Sequence, residues 1–187
     1  ELRRAAKTLN FGILYGMGAM ALAENTGMSL KEAKKFIDDY FREFAGVRNY
    51  LDSTKLFAET HGYVETLFGR RRYIPEINSS NWQVKREAER MATNMPIQGT
   101  ATGDIVKMAM IAVDSWIKKH NLSEGVKMIL QVHDELVFEI HENAISERAG
   151  QIKKIMEQIA DLKVPLVVDV KTGKNWGEQN VHNGVYS

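Results

Sequence analysis

The sequence predicts a mixed α+β fold, and three features carry that reading. The first third repeats apolar residues at helical spacing behind a clear helix start. Two short β-prone runs then bracket a glycine. The last third reads strand, strand, helix, strand, with a tight turn between the first two strands. With 187 residues, 44% of them apolar, the chain suits one domain or two closely joined subdomains and can bury a core without staples.

From Arg3 to about Leu22 the pattern is helical, with Leu9, Ile13 and Leu14 apolar and interruptions at Gly16 and Gly18. Those glycines supply permissive backbone and a candidate hinge. Ser29-Leu30-Lys31-Glu32 is a capping box, in which hydroxyl and carboxylate each satisfy a free helix N–H. It opens a helix with Ala33, Phe36, Ile37, Tyr40, Phe41 and Phe44 on its apolar face. Ala45-Gly46 breaks or bends it, and a second helical stretch runs to His61, stopped by Gly62.

The runs Tyr63–Phe68 and Arg71–Pro75 flank Gly69-Arg70 and predict a hairpin with a basic tip. Asn78-Ser79-Ser80 is a polar loop before a helix from about Trp82 to Asn94. Pro96 marks a kink or a new helix start, since it removes an N–H and restricts Met95. The next helix holds Gly99, Ala101 and Gly103, then Ile105, Met108, Ala109, Ala112 and Trp116. Val126 to Val132 and Glu135 to Ile140 are strands about a turn at His133-Asp134; Leu136, Phe138 and Ile140 share one face. A helix marked by Ile145, Ala149, Ile152, Met156 and Ile159 follows. Val164 to Val170 then reads as a buried strand, and the last dozen residues as a loosely structured end.

Composition narrows the function classes. Without cysteine there are no disulfides and no thiolate metal sites, which permits an intracellular protein. No run of about 18 apolar residues is present to span a membrane. The start, Glu1-Leu2-Arg3-Arg4, has no initiator Met or signal-peptide layout and opens as if in mid-helix, so the chain reads as a piece of something larger. With 25 basic against 24 acidic residues the net charge is +1, too balanced for a nonspecific nucleic-acid coat. Nucleic acid must then meet local clusters, and Arg3-Arg4-Lys7 and Arg70-Arg71-Arg72 are the candidates. Taken alone, a triple-Arg run is more often a solvated turn than a phosphate clamp.

Two constellations can carry chemistry. Arg3, Lys7, Phe11 and Tyr15 stand four apart, so on a helix they line one face. Two cations can clamp a polyphosphate through charge-assisted hydrogen bonds, and two rings can meet a sugar and a base. The same spacing also suits a surface helix whose aromatics pack inward. The second constellation is Gln131-Val132-His133-Asp134-Glu135 at the tip of the predicted hairpin. Carboxylates in a tight turn offer Mg²⁺ hard oxygen ligands, as the ion takes a few carboxylates plus phosphate oxygens. An ordinary turn also favours Asp for its local hydrogen bonds. His133 as a zinc ligand has no Cys partner and no HExxH spacing beside it.

Together they resemble a known family. Lys7-x3-Phe11-x3-Tyr15-Gly16 followed by Val132-His133-Asp134-Glu135 is similar to motifs B and C of family A DNA polymerases. Between them, Gly62-Tyr63-Val64-Glu65-Thr66-Leu67-Phe68-Gly69-Arg70-Arg71-Arg72 and Asn94-Met95-Pro96-Ile97-Gln98-Gly99-Thr100-Ala101 resemble the same family in the same order. The resemblance reaches Asn175-Trp176.

The resemblance implies a right-hand polymerase fold, incomplete here, with helical fingers over residues 1–62 and an antiparallel-sheet palm over 63–187. It implies template-directed addition of deoxynucleoside triphosphates to a primer 3′-hydroxyl with two Mg²⁺ ions, in the cytoplasm, on primer-template DNA. Arg3 and Lys7 would hold the triphosphate, with Lys7 placed to protonate the pyrophosphate. Phe11 would lie against the sugar, where Phe goes with discrimination against dideoxynucleotides, and Tyr15 would stack by the templating base. Asp134 would be a metal ligand supported by Glu135, and His133 would approach the primer terminus. Arg90, Asn94, Gln98 and Gln131 would touch the last base pairs, whose minor-groove acceptors are alike in every correct pair.

The family's second metal-binding aspartate belongs to a strand preceding the fingers and is expected upstream of Glu1, as are the Glu that helps exclude ribonucleotides and the thumb. The chain alone is therefore expected to be inactive until joined by the N-terminal part of the polymerase. Two other readings share much of the pattern: a noncatalytic primer-template binding module, and the single-subunit phage-type RNA polymerase. Lys7 and Asp134 argue against the first, and the Phe11–Gly16 run with the His-Asp-Glu turn against the second.

Overall fold

A computed structural model describes residues 9–178 and the backbone of 180–181. Among the described residues the fold is mixed, with long helices and three two-stranded antiparallel sheets. The chain forms two compact units, residues 1–99 and 100–187.

In the first unit residues 9–14 are helical (α1) and α2 follows as Ala19–Thr26. The break between them is the expected one: Gly16 takes a φ of 84°, a left-handed conformation that costs glycine nothing. Residues 3–8 of the predicted first helix lie outside the described residues. The capping box forms as read, with the Ser29 hydroxyl accepting from the Glu32 N–H and the Glu32 carboxylate accepting from the Ser29 N–H at 2.9 Å. The Ser29 hydroxyl and N–H also hold the Glu32 carboxyl below its ordinary pKa. This cap starts α3, Leu30–Glu43, and α4 runs Ala45–His61. The break falls on Phe44, and Gly46 is inside α4. Gly62, at a φ of 74°, stops α4 as expected.

Strands β1, Tyr63–Glu65, and β2, Arg71–Tyr73, pair as the predicted hairpin. After the 3₁₀ turn Pro75–Asn78, Asn81 caps α5 by accepting from the N–H groups of Gln83 and Val84. Here the expectation needs correction. α5 spans Trp82–Gln98 and passes through Pro96 rather than stopping near Asn94. Proline removes one helix hydrogen bond, but α5 seats Ala88 and Ala92 in a dry cluster with Ala58, Val64, Ile74 and Ile77, and that burial outweighs the missing bond. The helix then widens into a π-helical stretch, Gly99–Ile105. A Cβ on Gly99 would stand 3.0 Å from the Thr66 methyl, so glycine lets α5 end close against the β1–β2 loop. Arg70 of that loop donates to the Gly99 carbonyl at 2.9 Å.

In the second unit α6, Val106–Lys119, and α7, Ile145–Glu157, enclose a core of Val113, Ile117, Val126 and Ile152. Phe138 and Ile140 pack against it from one face of the hairpin β3, Val126–Val132, and β4, Glu135–Ile140. The hairpin therefore has an anchored base and a projecting tip. A register shift between Met128 and Leu130 marks a bulge at Ile129, which adds local twist towards the tip.

The predicted strand Val164 to Val170 does not form. Residues 164–170 join no ladder, and Val164 and Val167 are about two-thirds exposed (66% and 68%). A β-prone run needs an edge to pair with, and among the described residues none reaches it; the Val168 N–H donates instead to the Glu157 carboxylate at 3.0 Å. The loose end is also partly corrected: Asn180–Val181 (β6) pairs with Lys171–Thr172 (β5), while residues 179 and 182–187 lie outside the described ones.

Candidate functional site

The first group of candidate residues is built on α1 and α5. Phe11 and Tyr15 stack with ring centroids 6.0 Å apart and planes 12° from parallel. Both stay substantially exposed, at 42% and 36%, whereas Ile13 on the opposite side of the turn is buried. The aromatics therefore form a flat platform and do not supply the core, against the inward-packing alternative. The Tyr15 hydroxyl accepts from the Gln98 side-chain amide at 3.1 Å. Gly16 lies against Arg90, whose Cγ stands 3.5 Å from where a Cβ on Gly16 would be.

Arg86, Arg90, Asn94 and Gln98 recur every fourth residue along α5, one polar stripe on one face. Arg90 and Gln98 are exposed and Asn94 is half-buried. Arg86 was not among the sequence candidates. It lies over the Trp82 ring at 5.1 Å and donates to the Gly16 carbonyl at 3.4 Å, joining α5 to the α1–α2 break. Its signal was available, because it extends the Arg90-Asn94-Gln98 spacing by one step. Leu14, Gly16, Arg86, Arg90 and Thr93 line a cleft with Leu51 and Lys55 of α4. The predicted cations Arg3 and Lys7 lie outside the described residues.

The second group is the β3–β4 tip. Val132 pairs with Glu135, leaving His133 and Asp134 as a two-residue turn. His133 takes a φ of 52°, in the left-handed region where His is among the better tolerated residues. The Gln131 amide donates to the His133 carbonyl at 2.5 Å and ties the turn down. Gln131, His133, Asp134 and Glu135 are all exposed, so the carboxylates face solvent. No group of three or more His, Cys, Asp or Glu side chains is placed to hold a metal among the described residues. Two oxygen donors do fit part of a Mg²⁺ shell, since that ion commonly takes one or two carboxylates and completes its octahedron with water and phosphate oxygens. The two groups belong to separate compact units.

No helix among the described residues is long and apolar enough to cross a membrane.

Comparison with known proteins matches residues 1–178 to the family model for DNA polymerase family A. The chain is 48% identical over 178 residues to DNA polymerase I of Pseudomonas aeruginosa, covering 95% of this chain and 19% of that one. It is 51% identical over 175 residues to DNA polymerase I of Deinococcus radiodurans, covering 93% of this chain and 18% of that one. It thus spans about a fifth of the length of these curated relatives. Among solved structures it resembles the POL domain of Pol1 from M. smegmatis in complex with DNA primer-template and dNTP. The TM-score is 0.82 at 45% identity, covering 88% of this chain and 29% of that one. With nearly its whole length matched, the chain belongs to DNA polymerase family A.

Proposed function

We propose that the chain is the fingers and C-terminal palm, residues 1–62 and 63–187, of a cytoplasmic template-directed DNA polymerase that extends a primer 3′-hydroxyl with deoxynucleoside triphosphates. The observation that carries this reading is the stacked, half-exposed Phe11–Tyr15 pair tied through Gln98 to the polar stripe of α5. A flat ring face beside a row of donors suits a base pair. The Pol1 relative's complex with primer-template and dNTP supports the same assignment.

On this reading Arg3 and Lys7 bind the triphosphate, and Lys7 gives its proton to the departing pyrophosphate oxygen. Phe11 packs on the sugar and Tyr15 against the template base. Arg90, Asn94 and Gln98 contact the last base pairs, with Gln131 and His133 beside the primer terminus. Donors facing minor-groove acceptors test pair shape without reading sequence. Asp134, assisted by Glu135, holds Mg²⁺, which when bound lowers the pKa of the attacking hydroxyl and neutralises charge on the leaving group. A further aspartate for the two-ion site comes from the N-terminal part of the polymerase, and Gly16 with Gly18 forms the hinge on which α1 closes over the nucleotide.

The test is primer extension by the complete polymerase, wild type against Asp134→Ala, with Mg²⁺ and all four deoxynucleotides. The variant is expected to lose activity on the order of a thousandfold or more, as loss of a principal charge-stabilising group does. Undiminished extension by the variant removes Asp134 from the metal site. A wild type that binds primer-template but never extends it makes the protein a binding module.

A further inference from the structure

The residue immediately before the aromatic platform is held from a distant helix. The Tyr40 hydroxyl of α3 donates to the Asn10 side-chain carbonyl of α1 at 2.5 Å, across 30 positions of sequence. The Tyr40 ring is fixed by its neighbours, edge-on to Phe41 at 5.4 Å and tilted on Phe44 at 4.9 Å. Those neighbours sit at the C-terminal end of a helix whose other end is secured by the Ser29–Glu32 box. A phenol keeps its proton at neutral pH, and burial raises the Tyr40 pKa further, so the hydroxyl remains a donor there.

Distant side chains therefore tether α1 at more than one place. Near its C-terminal end, Gln98 holds Tyr15 and Arg86 holds the Gly16 carbonyl. One residue before Phe11, Tyr40 holds Asn10. The first tether fixes the Tyr15 ring. The second fixes the rotation of the helical turn that presents Phe11, because Asn10 and Phe11 are consecutive residues separated by about 100° around the helix axis. A helix held at one point only can roll about its axis, which moves an outward-facing ring such as Phe11 more than a buried side chain such as Ile13.

We propose that Tyr40 is a positioning residue for nucleotide selection, acting through Asn10 to set the angle at which Phe11 meets the incoming sugar. The inference rests on the polymerase reading and on Phe11's place in it. Tyr40 acts through Asn10 and is not among the residues assigned to the nucleotide or the metal, so its loss changes nucleotide binding and sugar discrimination more than the chemical step.

The experiment uses the complete polymerase carrying Tyr40→Phe, which keeps the ring packing and removes only the donor. Single-nucleotide incorporation is measured with a deoxynucleotide and with its dideoxy analogue, alongside primer-template affinity and Tm. The expected result is a rise in nucleotide KM of about threefold to tenfold, the range one neutral hydrogen bond supports. The dideoxy-to-deoxy ratio should shift, while kcat and primer-template affinity are held. Asn10→Ala should give the same change, and the double variant no more than either single one, because both remove one bond. Asn10→Asp, which retains the acceptor, should restore most of the nucleotide KM. If Tyr40→Phe lowers Tm but leaves KM and the discrimination ratio at wild-type values, Tyr40 is only structural and the inference fails. If the wild-type protein does not extend a primer at all, the polymerase reading itself fails, and the inference with it.

Discussion

The aromatic platform on α1 and the acidic tip of the β3–β4 hairpin are both exposed, but they are held in place by different means. Phe11 and Tyr15 are oriented by side chains from far along the sequence: Gln98 and Arg86 of α5, and Tyr40 of α3. Asp134 is oriented by its own neighbourhood, a two-residue turn pinned by Gln131 between strands whose base is buried on α6 and α7. A site held by local geometry tolerates loss of a functional side chain without loss of structure. A site held by tertiary bonds shifts when any of its supports goes.

The sharpest separation of activity from stability is therefore expected at the hairpin. Asp134→Ala, the variant that tests the polymerase assignment, should abolish most of the activity yet leave the unfolding free energy from denaturant titration within about 0.5 kcal/mol of wild type, since the side chain is exposed. A large stability loss would mean that the carboxylate braces the turn and is not free for a metal.

Removing a support of α5 should do the opposite. Ile77 is fully buried under Ala58, Val64, Ala88 and Ala92. Ile77→Ala should cost about 2–5 kcal/mol, through lost transfer energy plus the cavity left behind. Amide exchange would locate the damage. Protection in α5 and in the β1–β2 hairpin is expected to fall first; unchanged protection there would show that the cluster does not seat the helix.

How far these regions could be read from sequence follows the same division. Strands β3 and β4 match the expected Val126–Val132 and Glu135–Ile140, and the Ser29–Glu32 cap and the Gly62 stop also form as read. All three are written in residues a few positions apart. The passage of α5 through Pro96 was not legible, because it depends on what Ala88 and Ala92 are packed against. The unpaired run at 164–170 misled for the same reason: its pattern describes a strand, but a partner edge decides whether one forms. Arg86 was legible only in part: its place in the four-residue stripe of α5 is local, but its bond to Gly16 spans 70 positions, and the bond of Tyr40 spans 30, and no local spacing announces such partners.

The α1–α2 break offers an intermediate effect. Gly16 combines a φ of 84° with the Arg90 side chain 3.5 Å from its Cβ position. The space is adequate, so the cost of Gly16→Ala is conformational, about 1–2 kcal/mol for an L-residue in the left-handed region. If the break is also the hinge for closure, pre-steady-state incorporation by the complete polymerase should slow as well. Wild-type kinetics in a destabilised variant would leave Gly16 a structural glycine and nothing more.

The smallest effect is a pH dependence that probes the α4–α5 support directly. The Tyr50 hydroxyl of α4 donates to the Thr93 carbonyl of α5 at 3.1 Å, and burial raises its pKa above the ordinary phenol value. A raised folded-state pKa means that the folded protein keeps this proton after the unfolded chain has begun to release it. The contribution is complete below the unfolded phenol pKa of about 10 and is lost as pH rises through the higher folded value. Tyr50→Phe should therefore cost stability at neutral pH, where it removes the donor, and should also flatten the decline in stability above about pH 10. Unfolding midpoints of both proteins across that alkaline range measure the difference. Parallel curves would show that Tyr50 ionises alike in the folded and unfolded chains, and equal stability at neutral pH would show that its bond to Thr93 plays no part in holding α5 against α4.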